Sequence, residues 1–186
     1  MEVKGGKIVK KNRVLIILII FIIVITCIGF LVFFIKNKNK KLEKIEYSNN
    51  IYKFVYDNSW KMKENNGIVT LYNNETSSEF KVYYKELEKQ YIVDKIDNFI
   101  DNIKIQLQDE NASYSLIYEG KATVTEKEYD VYQLLYENDN NETLITVIKR
   151  NDKLFIIQYT AENKYFDMLL DNVKNMLWSF EILDQV

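Results

Sequence analysis

Ser78 and Lys81 stand in Ser78-Glu79-Phe80-Lys81, the Ser-x-x-Lys spacing in which a lysine amine can take the proton of a serine nucleophile. That chemistry needs the serine at the opening of a helix, with the lysine one turn on. Here the pair heads an alternating segment that predicts a strand, and neither a Ser-Asp-Asn nor a Lys-Thr-Gly companion follows. Carboxylates are the other candidate catalysts. Glycoside hydrolysis needs two of them facing each other across a cleft, which chain spacing alone does not specify. Asn138-Asp139-Asn140-Asn141-Glu142 offers oxygen ligands but lacks the spacing and central glycine of a calcium loop, so it reads as a solvated hairpin turn. Histidine is absent, which removes Ser-His-Asp and Cys-His catalysis, histidine metal clusters and a histidine pH switch. The one cysteine, Cys27, lies in an apolar run, so zinc and iron–sulfur sites of the usual ligand types are also excluded. No catalytic, metal or cofactor residue is expected. A hydrolase using carboxylates or the Ser78/Lys81 pair is the alternative.

The apolar run, Val14 to Ile35, fixes where these groups work. Its 22 residues carry no charge. At about 1.5 Å per helical residue it reaches roughly 33 Å, enough for a hydrocarbon core of about 30 Å. Backbone groups in lipid must pair internally, so the run predicts a single transmembrane helix at 14–35. It is too long for a cleaved secretory signal and ends in Phe33-Phe34-Ile35-Lys36 rather than in small residues. Thr26 before Cys27 fits a lipoprotein signal badly, and the apolar stretch continues well beyond the cysteine.

Both flanks of the span are basic. Lys10, Lys11 and Arg13, with Lys4 and Lys7, lie in the tail at 1–13, and Lys36, Lys38, Lys40 and Lys41 open a polar linker at 36–48. Cations on a short tail hold it in the cytoplasm, whereas a long domain follows a signal-anchor across regardless of charge. The expected topology therefore places the N-terminus inside and residues 49–186 outside. The collar suits anionic lipid headgroups. From Tyr47 onward there are 15 Lys and Arg against 24 Asp and Glu, a net of −9, which argues against nucleic acid as a partner. Proline is absent while Asn, Lys, Ile and Tyr abound, the residue usage of an A/T-rich bacterial genome.

About 140 residues remain for one soluble domain. Alternation and turn signals predict strands at Ile51–Asp57, Trp60–Lys63, Ile68–Asn73, Glu79–Leu87, Ser113–Gly120, near Lys121–Glu128, Tyr129–Glu137, Glu142–Arg150 and Lys153–Ala161. Ile92, Ile96, Phe99, Ile100, Ile103 and Leu107 form one helical stripe, and Phe166, Leu169, Leu170, Val173 and Leu177 form another. Trp178–Ile182 reads as a closing strand. Hairpin-linked strands make an antiparallel sheet, and two amphipathic helices must cover it, giving an α+β domain.

These landmarks are the strand Tyr52–Tyr56 followed by Trp60, the helix holding Asp97–Ile103, the hairpins over Tyr129–Tyr159 and the last helix running into Trp178-Ser179-Phe180. Together they resemble the PsbP/Mog1-like fold, including small bacterial DcrB-type lipoproteins, across about residues 50–183. A proline that often precedes the tryptophan in such proteins is replaced here by Asp57-Asn58-Ser59. The resemblance implies a mostly non-catalytic binding or accessory module. An NTF2-like cone is the alternative, although that fold usually opens with helices.

The chain has 14 Tyr and 10 Phe. Alternation cannot bury both faces of every strand, so Tyr83, Tyr84, Tyr132 and Tyr136 are expected as partner contacts, unless the helices cover them as core. The function expected is a membrane-anchored scaffold in a bacterial envelope, contacting the lipid bilayer and an envelope protein. In a Cys27→Ala background, Asn140→Cys should react with a membrane-impermeant maleimide in intact cells. Reaction only after lysis would reverse the topology.

Overall fold

Strand alternation along this chain places rings on one side and lysines on the other, and the computed structural model follows it. The structure describes residues 42–110, 113, 115–125, 127 and 129–183. The expected span at 14–35 and the basic collar lie outside them. Among the described residues no helix is long and apolar enough to cross a membrane.

The described residues form ten strands in two antiparallel sheets. Strands β1 (Lys44–Ser48), β2 (Tyr52–Asp57) and β10 (Glu181–Ile182) make a small sheet with β2 in its centre. The large sheet holds β3 (Lys61–Asn65), β4 (Ile68–Asn73), β5 (Ser78–Glu86), β6 (Ser115–Lys121), β7 (Asp130–Asn138), β8 (Asn141–Arg150) and β9 (Lys153–Glu162). Its spatial order is β3-β4-β5-β9-β8-β7-β6. Helix α1 spans Ile96–Glu110 and α2 spans Asn163–Trp178.

The order explains the layers. After the β3-β4-β5 meander the chain must cross from β5 to the far edge at β6, and α1 makes that crossing over β7 and β8 on one face. The chain then folds back through β7, β8 and β9 to pair with β5. Helix α2 returns across the other face and delivers β10 to β2. The small sheet and α2 thus cover one face together, and α1 alone serves the other.

On the first face Tyr52, Phe54, Phe80, Phe155 and Phe180 pack among Val69, Leu71, Ile157, Val173 and Met176. Phe155 touches the rings of Tyr52, Tyr84 and Phe180 at centroid distances of 6.1, 5.8 and 5.9 Å. The second core is smaller: Ile96 and Ile100 of α1 sit on Leu134, Ile145, Val147 and Ile156. Polar bonds pin the layers. The Tyr159 hydroxyl donates to the Phe166 carbonyl at 2.9 Å, and the Val55 amide donates to Ser179 Oγ at 2.9 Å. Asn49 Oδ1 accepts the amides of Ile51 and Tyr52 at 2.8 Å each, closing the β1–β2 turn.

Several expectations change. Residues 44–48, expected as aperiodic linker, form β1 because Tyr47 buries against Tyr52 and Phe54. The stripe began too early: Ile92 precedes α1, and its carbonyl accepts Lys149 Nζ at 2.7 Å. No strand forms at 122–125. Ala122 and Val124 turn onto the core, and Thr125 Oγ1 closes a local turn with Lys127. Trp178 ends α2 rather than opening the last strand. One sheet was expected where there are two.

Phe155→Ala should cost about 3–5 kcal/mol in chemical denaturation, because a ring-lined void replaces the side chain. The fully buried Tyr52 hydroxyl has no hydrogen-bond partner among the described residues. Tyr52→Phe should therefore match or exceed the parent in stability, by up to about 2 kcal/mol.

Candidate binding surface

The side chains that could do chemistry are kept apart by the pleat. In β5, Ser78 points with Phe80 and Val82 into the larger core, while Lys81 points to the opposite face. Ser78 is buried and its hydroxyl lies 2.9 Å from Thr76 Oγ1; Lys81 Nζ is 2.7 Å from Glu79. Three residues along a strand put side chains on opposite faces, so no proton can pass between this pair.

Among the described residues no group of three or more acids and cysteines converges to hold a metal ion. Two acids do face each other: Glu137 and Glu142 are cross-strand partners beside the β7–β8 turn. The Glu142 carboxyl is held above the ordinary glutamate range, first by burial and then by Asp167 and Glu137. A cleft of about 330 Å³ between the small sheet and the β8–β9 turn mixes Glu86 and Asp152 with Arg150 and Lys153. A second, apolar cavity of about 430 Å³ lies between α2 and β7–β8, lined by Val124, Leu135, Leu144, Leu170 and Trp178. Gln133 Nε2 donates to Thr146 Oγ1 at 3.0 Å on the same sheet face.

The four tyrosines expected as contacts do not form one surface. Tyr83 and Tyr84, adjacent in β5, point to opposite faces: Tyr84 packs on Phe155 and Tyr83 on the core beneath α1. Tyr136 is buried, 7% exposed. Tyr132 is half-buried beside Leu134, its phenol pushed up first by burial and then by Glu119. The rings serve as core because α1 and α2 lie over them. Lys104 of α1 reaches Glu119 of β6 at 2.8 Å and clamps the helix to that edge.

What remains open is the half of the large sheet that α1 does not reach. Its rows follow the register: Asn65 and Ile68; then Lys63, Thr70, Lys81 and Gln158; then Lys61, Tyr72 and Glu79. Ile68 and Tyr72 are 39% and 38% exposed. Lys61, Lys63 and Lys81 make this half-face cationic, with Glu79 beside Lys81, on a domain whose net charge is negative. Thr70 is buried although among the described residues no helix packs on β4. The flanking residues in its row are Lys63 and Lys81, whose methylene stems can shelter it. This surface was legible as the polar phase of Glu79-Phe80-Lys81-Val82; what composition hid was that Lys61 and Lys63 join Lys81 there, on an otherwise acidic domain.

With two antiparallel sheets and a helix on each face of the larger one, the domain is an α+β layered protein of PsbP-like fold. No family model and no curated protein matches the sequence. Solved structures do match in fold. Cyanobacterial PsbP (CyanoP) from Synechocystis sp. PCC 6803 superposes with a TM-score of 0.59 at 16% identity, over 76% of this chain and 92% of that one. PA94 from Pseudomonas aeruginosa, a protein of unknown function described as a putative regulator, gives 0.51 at 10% identity, over 77% and 96%. At these identities the likeness shows the fold alone.

Because the Glu142 carboxyl is raised, the folded chain holds that proton at higher pH than the unfolded chain does. This group's contribution is therefore most favourable below the ordinary glutamate value and declines as pH rises through the raised one. Glu142→Gln should melt above the parent at pH 7, and the gap should close below about pH 4. Thermal melts across that range read it directly.

Proposed function

We propose that this chain is a membrane-anchored, non-catalytic binding module of a bacterial cell envelope, with its α+β domain outside and its basic flanks at the lipid surface. The observation that carries the reading is the asymmetry of the large sheet. One face is sealed by a second sheet and a helix, and half of the other is left bare and cationic. A sheet face without a covering layer, bearing Ile68 and Tyr72 among lysines, has the mixed apolar and charged character of a contact surface. The one Ser/Lys pair that could have served a hydrolase is divided between two faces. The anchor and orientation rest on the uncharged run at 14–35 and its flanks.

A photo-crosslinking amino acid at Tyr72, on the open half-face, should trap an envelope protein in living cells. The same residue at Met168, exposed on α2, should trap none or far less. Absence of crosslinks from both positions would contradict a binding module.

A further inference from the structure

Among the described residues the open half-face ends in a strand edge with no neighbour. Strand β3 is the last strand of the large sheet, all five of its residues are exposed, and its register with β4 runs without a bulge. The opposite edge, β6, is bulged between Leu116 and Tyr118. The β3–β4 turn is Asn66-Gly67, both with positive φ (50° and 75°), the two-residue form that makes Asn65 and Ile68 a hydrogen-bonded pair. Counting back by alternation, Lys63 and Lys61 also bond to β4, so the amides and carbonyls of Met62 and Glu64 point away from the sheet. None of the described residues pairs with them.

We propose that β3 receives an extended acidic segment of a partner protein, which adds to the large sheet as an eighth, edge strand. This rests on the binding-module reading and gives its partner a chemistry. The unpaired backbone of Met62 and Glu64 supplies the hydrogen bonds that only another strand can complete. On the open face, Lys61 and Lys63 lie directly beside the incoming side chains two residues apart, so acids at alternate positions meet them as cross-strand pairs. Between them Met62, 44% exposed on the other face, takes an apolar residue. The segment recognised is acid–apolar–acid in extended form. Lysines on an edge repel an identical edge, so the same charges that admit an acidic strand refuse a second copy's β3. A lipid surface would meet the lysines but would leave the backbone of Met62 and Glu64 unpaired.

The probe is a fluorescein-labelled hexapeptide, Thr-Thr-Glu-Val-Glu-Thr, titrated at low salt into the full-length protein in detergent, with Thr-Thr-Lys-Val-Lys-Thr as its counterpart. The glutamate peptide should bind saturably and at least tenfold tighter than the lysine peptide. Lys61→Glu with Lys63→Glu should reverse that preference, a gain that an unfolded variant cannot mimic and that leaves the basic flanks unchanged. Met62→Pro removes only an outward amide at an edge, where proline is tolerated. It should weaken the glutamate peptide at least fivefold while the melting temperature stays near the parent's. Equal binding of both peptides, or binding indifferent to Met62→Pro, overturns strand addition. So does an outcome in which vesicles rich in anionic lipid bind through Lys61 and Lys63 while the peptide does not. Crosslinks from Tyr72 without a Met62→Pro effect would leave the binding module standing and remove this inference alone.

Discussion

A sheet wider than the elements available to cover it is the constraint on which this structure turns. At about 4.8 Å between strands, the large sheet is roughly 29 Å across, whereas a helix with its side chains is about 10 Å wide. Two helices therefore cannot seal two faces. The chain answers on one face by adding a layer: β1, β2 and β10 bring Tyr47, Tyr52, Phe54 and Ile182 down beside α2. On the other face it adds nothing, and the residues beyond the reach of α1 are lysines, threonine, glutamine and a few half-exposed apolar side chains. Topology decides which half stays bare, since the β5-to-β6 crossing must pass over β9, β8 and β7.

That division assigns the aromatic residues. The sealed face holds the ring cluster around Phe155, where each ring touches others across both sheets. Among the described residues two buried polar atoms lack a partner there, the Tyr52 hydroxyl and Trp60 Nε1. The Tyr52 phenol is driven far above its ordinary value, chiefly by burial, with Tyr47 and Glu64 adding to it. The α1 face is thinner, and its clamp is partly ionic, through Lys104 and Glu119. Chemistry that needs groups converging across a cleft has no such place among Ser78, Lys81 and the cross-strand pair Glu137 and Glu142. The surface the fold does supply is flat, cationic and edged by an open strand.

Much of this was legible in the chain. Period-2 alternation located β2, β4, β5, β7, β8 and β9 to within a residue or two at either end, and the two helical stripes located α1 and α2. The misses share a cause. Strand β1 reads as polar because only Tyr47 of its five residues is buried, so its existence depends on β2 and not on its own pattern. The residues after β6 carry β-branched side chains, but after the Ala122 amide bonds to the Val131 carbonyl the chain leaves the ladder, and Ala122 and Val124 roof the core. The tyrosines were left between partner contact and core because alternation gives two faces without saying that a helix lies on each. The cationic character of the half-face could not be seen because its lysines are separated by as many as 20 positions in sequence, from Lys61 to Lys81, and meet only through the β3-β4-β5 register.

Helix α1 shields one half of this sheet face and leaves the other half bare. Thiol labelling of the native protein tests it most directly, with Cys27 replaced by Ala and single cysteines placed at Ile68 and Ile145, which share that face. Position 68 should label rapidly, and position 145 should stay protected until the protein is denatured. Equal protection at both positions would mean that another element covers β3 and β4, and the contact surface argued from their exposure would be lost.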